Sequence, residues 1–228
     1  MNTRNKEDAL FKQWRLKHPE TSFMIDGCPN PFQYEAAIQK VIFVLKDGNM
    51  GENGQPGEVY DQRYELEHNP HRWWGVIARW CLFIKSPTVS WQEGLKAIDS
   101  AASIKEALSR HCFIQLKKNW GFGSVSNDEL NKVVNNDKTE ILEQLAIYAP
   151  NFIIACGNGD QLRHIFYCNQ YDRKMTINGV GFWYVALGSH QSILVDYCHP
   201  SIRVGTKVNG IVAKGLASAL TDISEIDV

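Results

Sequence analysis

The stretch Lys40-Val41-Ile42-Phe43-Val44-Leu45-Lys46 decides the fold class. Its central residues are apolar and rich in β-branched side chains, with a polar residue at each end, which is typical of a strand buried on both faces of a parallel sheet. Similar runs occupy residues 112–116, 152–156 and 193–197. Because helical patterns alternate with these strands, the chain predicts an α/β fold, a three-layer α/β/α sandwich with a central, mostly parallel sheet of about four strands.

Much of the remaining sequence has apolar residues at helical spacing. Residues 47–70 are rich in Gly, Asn and Pro, and we expect a loop there. The predicted helices cover 5–18, 70–85, 91–110, two capped segments beginning at Ser126 and Asp137, and about 208–220. Asn178-Gly179 is a strong hairpin-turn signal. No internal repeat is visible, so we expect a single domain over 1–228, with residues 1–37 as an N-terminal helical extension packed on it.

The charge balance limits the classes of partner. The chain has 24 Lys+Arg and 25 Asp+Glu, a formal net charge of −1, and 44% of its 228 residues are hydrophobic. This apolar fraction excludes intrinsic disorder. Near-zero net charge excludes a polybasic protein that is held on nucleic acid by bulk charge, although it leaves room for a local basic groove.

Membrane and metal signals are both missing from the sequence. The first twenty residues lack the apolar stretch of a secretory signal, and apolar runs such as 41–45 are far below the roughly 20 residues that span a bilayer. The six cysteines are scattered without a Cys-x-x-Cys pair, so they indicate no disulfide framework, zinc site or iron–sulfur site. We therefore expect a cytoplasmic monomer without a membrane partner, a metal or another cofactor.

Polar residues at the carboxyl ends of the predicted strands form the candidate site. Parallel strands direct these ends to one crevice, and here they are Asp47, 115–118, Gly157 and His199. The His199 imidazole can donate a hydrogen bond to a ligand carbonyl or stabilise a developing anion, and the Asp47 carboxylate can polarise a water. The structural alternatives are a strand-capping role for His199 and a simple turn at Asp47.

Further binding residues flank these ends. The Ser201 hydroxyl can hold a phosphate, and Arg203 and Lys207 add positive charge nearby. Tyr60 and Trp120 can stack on a planar ligand, as aromatic residues do with unpaired bases.

The order of these segments resembles that of the uracil-DNA glycosylase superfamily. Residues 40–48 are similar to its first-motif strand, with Asp47 where a water-activating Asp or Asn stands, and Gln115 takes the place of an Asn that contacts the base edge. Cys198-His199-Pro200-Ser201 matches the His-Pro-Ser motif in full. The first motif departs from the family pattern, because it has no proline and has Asn49 where a bulky tyrosine stands.

The resemblance implies a glycosylase-like α/β/α domain that hydrolyses the N-glycosidic bond of a flipped uracil-like base. It implies that Asp47 orients water towards an oxocarbenium-like sugar and that His199 stabilises the anionic base. The implied base-binding residues are Gln115, Lys46, Tyr60 and Asn49. The implied contacts to phosphate or DNA come from Ser201, Arg203, Lys118, Trp120 and Lys207.

Three functions stay open at this point. The first is this base-excision activity, with single- or double-stranded DNA as partner. The second is a non-catalytic nucleic-acid or nucleotide binder that keeps the same fold, which the altered first motif favours. The third is a hydrolase or transferase that acts on a free nucleobase or small nucleoside.

Overall fold

A computed structural model describes residues 2–49, 54–121, 125–176, 178–200 and 206–226. The helices in these ranges are α1 (Thr3–Leu16), α2 (Pro31–Glu35), α3 (Gln62–His68), α4 (Gly75–Lys85), α5 (Trp91–Ala97), α6 (Ala101–Leu108), α7 (Asn127–Asn136), α8 (Lys138–Tyr148), α9 (Gly159–Ile165) and α10 (Thr206–Ile226). The strands are β1 (Phe23–Ile25), β2 (Val41–Asn49), β3 (Val59–Asp61), β4 (Cys112–Gly121), β5 (Phe152–Cys156), β6 (Lys174–Met175), β7 (Gly181–Leu187) and β8 (His190–Tyr197).

The central sheet has six strands in the order β4-β2-β5-β8-β7-β6. The first four are parallel, and β7 and β6 continue the sheet in the antiparallel direction. The predicted fold class is confirmed, since helices cover both faces of a mostly parallel sheet. The expected width of four strands is too small, because the hairpin around Asn178-Gly179 adds β6 and β7 to the edge at β8.

Each face of the sheet buries its own hydrophobic core. Side chains alternate along β2, so Ile42 and Val44 contribute to one core while Val41 and Phe43 contribute to the other. Helices α1, α7, α8 and α9 pack on the first face, and α4, α6 and α10 pack on the second. This two-sided burial explains why the strand sequences are continuous apolar runs rather than alternating ones.

The segment expected as a loop over 47–70 contains regular structure. Strand β2 continues to Asn49, β3 pairs in parallel with β1, and α3 follows. The start of α3 is fixed by Asp61, whose carboxylate accepts hydrogen bonds from the backbone N–H groups of Arg63 and Tyr64 at 3.0 and 3.3 Å. The single helix expected over 91–110 is likewise divided, because Ser100 caps a new helix, α6.

The connections leave β2 and β5 on opposite faces of the sheet. The chain from β2 to β4 covers one face through α3, α4 and α6, whereas the chain from β5 to β8 covers the other through α9. Adjacent strands with diverging connections leave a crevice at their carboxyl ends, the topological switch point at which α/β proteins bind ligands. The fold therefore places its candidate crevice between the ends of β2 and β5.

A buried ion pair ties the N-terminal segment to the sheet. The Lys118 Nζ lies 2.8 and 2.6 Å from the two carboxylate oxygens of Asp26 and 2.9 Å from Oε1 of Gln144. The same carboxylate accepts the Gln115 backbone N–H at 2.7 Å. The ammonium also lies 4.7 Å from the ring centroid of Trp14 in α1. One charge pair thus connects α1, the end of β1, β4 and α8.

We expect Lys118→Met to lower the free energy of unfolding by about 3–5 kcal/mol, because it leaves the Asp26 carboxylate buried without a counter-ion. Urea titration measures this loss. Lys132→Met removes an exposed lysine from α7 and serves as the control, with an expected change within about 0.5 kcal/mol. If both variants unfold at the same urea concentration, the ion pair does not have this role.

His111 is a second buried polar group, next to the start of β4. Its ring lies edge-on to Phe43 with the centroids 5.8 Å apart, and its Nδ1 has no hydrogen-bond partner among the residues described. Burial, aided by the charge of Arg110, lowers the pKa of His111 from 6.5 to about 4. The folded protein therefore holds a neutral imidazole at pH values where the unfolded chain takes up a proton.

The free energy of unfolding should therefore contain a His111 component that falls as the pH drops from 6.5 to about 4. The sign follows because the unfolded state binds more protons in this window. His111→Phe keeps a ring against Phe43 and should remove this component. The difference in the free energy of unfolding between the variant and wild type should therefore change with pH across this window. Urea unfolding at several pH values measures it. A difference in the free energy of unfolding between His111→Phe and wild type that stays constant across the window would contradict the assignment.

Candidate functional site

The ends of the four parallel strands meet at one edge of the sheet. In the β2–β4 pair, Leu45 is opposite Gln115 and Asp47 is opposite Lys117. On the other side of β2, the Gly157 N–H at the end of β5 donates to the Tyr197 carbonyl at 2.8 Å.

His199 packs directly against the end of β5. A Cβ atom placed on Gly157 would lie 3.0 Å from the His199 Cβ, and Gly157 has a φ of +71°, so this tight turn requires glycine. Since β5 is the direct neighbour of β2, the structure brings Asp47 and His199 to the same edge of the sheet, on either side of the switch point.

Lys46 connects these two groups electrostatically. Burial lowers the pKa of the His199 imidazole, and the positive charge of Lys46 lowers it further. Burial also raises the pKa of the Asp47 carboxyl, against the opposing charges of Lys117 and Lys46. All three predicted residues, Lys46, Asp47 and His199, are half-buried, so each keeps some contact with solvent. The arrangement favours a neutral imidazole and a carboxylate of increased basicity, and the charge of Lys46 acts on both.

Lys117 is a site residue that our sequence analysis did not single out. Its Nζ lies 2.8 Å from Oε1 of Glu129 at the start of α7, and both charges affect the pKa of Asp47, Lys117 lowering it and Glu129 raising it. Its place opposite Asp47 follows from the strand register, which only the paired strands reveal.

Asn158 is a second residue that was missed. It follows β5 at the switch point, is 1% exposed, and donates from Nδ2 to the Val44 carbonyl of β2 at 3.1 Å. Its Oδ1 has no hydrogen-bond partner among the residues that the structure describes. The only sequence signal was its position between Gly157 and Gly159, which predicts a tight turn rather than a site.

Gln115 lies at the predicted strand end, but its side chain is buried away from solvent. The residue is 1% exposed, and its Oε1 has neither solvent contact nor a hydrogen-bond partner in the described part of the chain. An unpartnered buried amide oxygen costs about 1–3 kcal/mol of stability. A ligand reaches this oxygen only if the surrounding side chains move.

Two of the residues assigned to DNA contacts have structural roles instead. The prediction that Lys118 contacts phosphate is wrong, because β4 continues past residue 116 and places this lysine in the buried pair with Asp26. The Trp120 ring is 6% exposed and packs edge-to-face on Tyr60, with the centroids 6.1 Å apart, so it offers no open face to a base. Tyr60 in turn donates its hydroxyl hydrogen bond to Glu65.

The remaining assigned residues stay predictions. Ser201 and Arg203 lie outside the described residues. Asn49 belongs to β2 and Lys207 to α10, but their side chains are outside the description as well.

No described group of three or more His, Cys, Asp or Glu side chains is arranged to hold a metal ion. The described helices include none that is both long and apolar enough to cross a membrane. A cavity of about 430 Å³ lies at the opposite, amino end of the strands, where Gln39, Asn151 and Gln191 contribute to its lining. It is therefore separate from the candidate crevice.

No protein-family model matches this chain, and no curated protein matches it in sequence.

Replacing Gln115 with Met should leave the free energy of unfolding unchanged or raise it by up to about 1–3 kcal/mol, since the change removes an unpartnered buried oxygen. Gln144→Met is the matched control. Gln144 accepts from Lys118 and donates to Asp26 at 2.7 Å, so its loss should lower the free energy of unfolding by about 1–3 kcal/mol. Chemical unfolding of both variants measures these changes in the free energy of unfolding. A large decrease for Gln115→Met would show that its amide oxygen has a hydrogen-bond partner in the folded protein.

Proposed function

We propose that this protein is a DNA glycosylase that hydrolyses the N-glycosidic bond of an extruded uracil-like base, as a divergent relative of the uracil-DNA glycosylase superfamily. The observation that carries the proposal is the position of Asp47 and His199 at one edge of the sheet, half-buried, with the charge of Lys46 acting on both. The diverging connections of β2 and β5 support the proposal, because α/β proteins bind ligands where the connections of adjacent parallel strands diverge.

The two groups suit the two charges that develop when the bond breaks. The base leaves as an anion and the sugar becomes oxocarbenium-like. The Asp47 carboxylate accepts a proton from a water as the water oxygen adds to the sugar C1′, and its raised pKa makes it a better base for this step. A negative charge at this position also stabilises the positive charge on the sugar.

His199 acts on the departing base. Its lowered pKa keeps the imidazole neutral, so one ring nitrogen donates a hydrogen bond to a base carbonyl without a prior protonation step. The positive charge of Lys46, which acts on His199, stabilises the anionic base further. Extrusion of the base costs a few kcal/mol of unstacking, which is least for a mismatched or damaged base.

A non-catalytic nucleic-acid or nucleotide binder is the second candidate. It is favoured by the burial of Gln115 and Trp120, because these two residues were assigned to contacting the base edge and stacking on the base. Such a protein binds DNA without producing abasic sites, so product formation separates the two functions.

The test is abasic-site formation on oligonucleotides that carry uracil, hypoxanthine or another deaminated base, read as strand cleavage after alkali. We expect Asp47→Asn to reduce the rate by about 10²–10⁴, the range for loss of a general base. We expect His199→Ala to reduce it by about 10²–10³, the range for loss of one donor to a developing anion.

Asp99→Asn and His68→Ala change exposed residues of the same types and should keep the wild-type rate. Equal rates in wild type, Asp47→Asn and His199→Ala would contradict the assigned roles. Tight DNA binding without abasic sites on any of these substrates would favour the non-catalytic binder.

A further inference from the structure

Two buried cysteines are opposite each other where the N-terminal segment meets β4. Gly27 and Phe113 form an antiparallel bridge, in which the Gly27 N–H donates to the Phe113 carbonyl at 2.9 Å and the Phe113 N–H donates to the Gly27 carbonyl at 3.1 Å. In antiparallel pairing, the residues next to such a doubly hydrogen-bonded pair are opposite each other without hydrogen bonds between them. The register therefore places Cys28 opposite Cys112.

Both cysteine side chains lie on the same face of the sheet. Side chains alternate along β4, so Cys112 belongs to the core of the first face while Phe113 belongs to the core of the second. Cys28 belongs to the same core as Cys112, and both residues are fully buried. The Tyr148 hydroxyl of that core accepts the Cys28 backbone N–H at 3.3 Å.

The backbone spacing at this position suits a disulfide. Opposite residues of a non-hydrogen-bonded antiparallel pair have Cα atoms about 4.5 Å apart. Disulfides join Cα atoms that are about 4.4–6.8 Å apart, provided that the two side chains point towards each other. Cys28 and Cys112 are free thiols in this structure, so a bond between them is a chemical change that the existing backbone pairing allows.

We propose that Cys28 and Cys112 are a disulfide-forming pair, whose bond fastens residues 26–30, the connection between β1 and α2, to the start of β4. Cys112 is the first residue of β4, whereas the candidate crevice lies at the carboxyl ends of the parallel strands. The modification is therefore separate from the proposed function and from its site.

The oxidant is a low-molecular-weight disulfide, and the reaction consists of two thiol–disulfide exchanges. Cys28 loses its proton, and its thiolate attacks one sulfur of the oxidant, forming a mixed disulfide and releasing the first small thiolate. Cys112 then loses its proton, and its thiolate attacks Cys28 Sγ, forming the protein disulfide and releasing the second small thiolate. The two protons convert these thiolates to thiols, and the two electrons lost by the protein have reduced the S–S bond of the oxidant.

Burial determines when this exchange takes place. It raises the pKa of the Cys28 thiol and that of the Cys112 thiol, so neither forms a thiolate readily while the core is closed. Residues 26–30 must move away from β4 before the oxidant reaches Cys28. We therefore expect the bond to form slowly in the folded protein and faster while the chain folds.

Peptide mapping after oxidation tests the pairing. Wild-type protein is refolded from urea in oxidised glutathione, the remaining thiols are alkylated, and the digested chain is analysed by mass spectrometry. We expect the main cross-linked peptides to contain Cys28 and Cys112, and dithiothreitol should separate them. Cys28→Ala and Cys112→Ala should each lose the cross-link.

Cys81→Ala and Cys156→Ala are matched controls, because both residues are buried free cysteines in the core of the second face. Both controls should form the cross-link as wild type does. Unfolding curves check that each variant is folded. The map of wild type carries the test by itself if Cys28→Ala or Cys112→Ala fails to fold.

The effect of the bond is measured by urea unfolding of the oxidised and the reduced protein. A bridge between residues 28 and 112 restricts the unfolded chain, so oxidised wild type should unfold at a higher urea concentration than reduced wild type. Oxidised Cys81→Ala should show the same increase, whereas Cys28→Ala should unfold at one concentration in both states.

A cross-link between any other two cysteines, or only mixed disulfides with glutathione, would overturn the pairing. Equal unfolding of fully cross-linked and reduced wild type would overturn the fastening of residues 26–30. Neither measurement uses DNA, so a failure of the disulfide leaves the proposed glycosylase intact. Absence of base excision would likewise leave the disulfide intact.

Discussion

The parallel pairing of β4, β2, β5 and β8 is the constraint on which the rest of the structure depends. Parallel strands end at the same edge, so residues that lie far apart in the chain, such as Asp47 and His199, come to the same edge of the sheet. Burial on both faces keeps these strands in register, because a one-residue slip would exchange every side chain between the two cores.

Polar side chains at this edge divide into two groups by their partners. Lys118 and Asp26 neutralise each other in the interior, and Lys117 is paired with Glu129. Lys46, Asp47 and His199 are half-buried, and the charge of Lys46 acts on the pKa of both Asp47 and His199. A buried pair stabilises one conformation, whereas partly exposed groups with altered pKa values are typical of sites that carry chemistry.

The sequence predicts the sheet well and the roles of polar residues poorly. Continuous apolar runs such as 152–156 identify doubly buried strands from local pattern alone, and this pattern yields the fold class. The role of Lys118 depends on Asp26, which is 92 positions away, so no local pattern reveals that its charge is already neutralised. Trp120 similarly fits a stacking role until its packing on Tyr60 is known.

The buried ion pair between Lys118 and Asp26 also connects the N-terminal segment, residues 1–37, to the central sheet. Trp14 and Asp26 both lie within residues 1–37, and both contact Lys118 in the central sheet. A fragment that began at residue 38 would leave a buried ammonium with neither its counter-ion nor the aromatic ring beside it. The segment therefore supplies both the counter-ion and the aromatic neighbour of a charge that is buried in the central sheet.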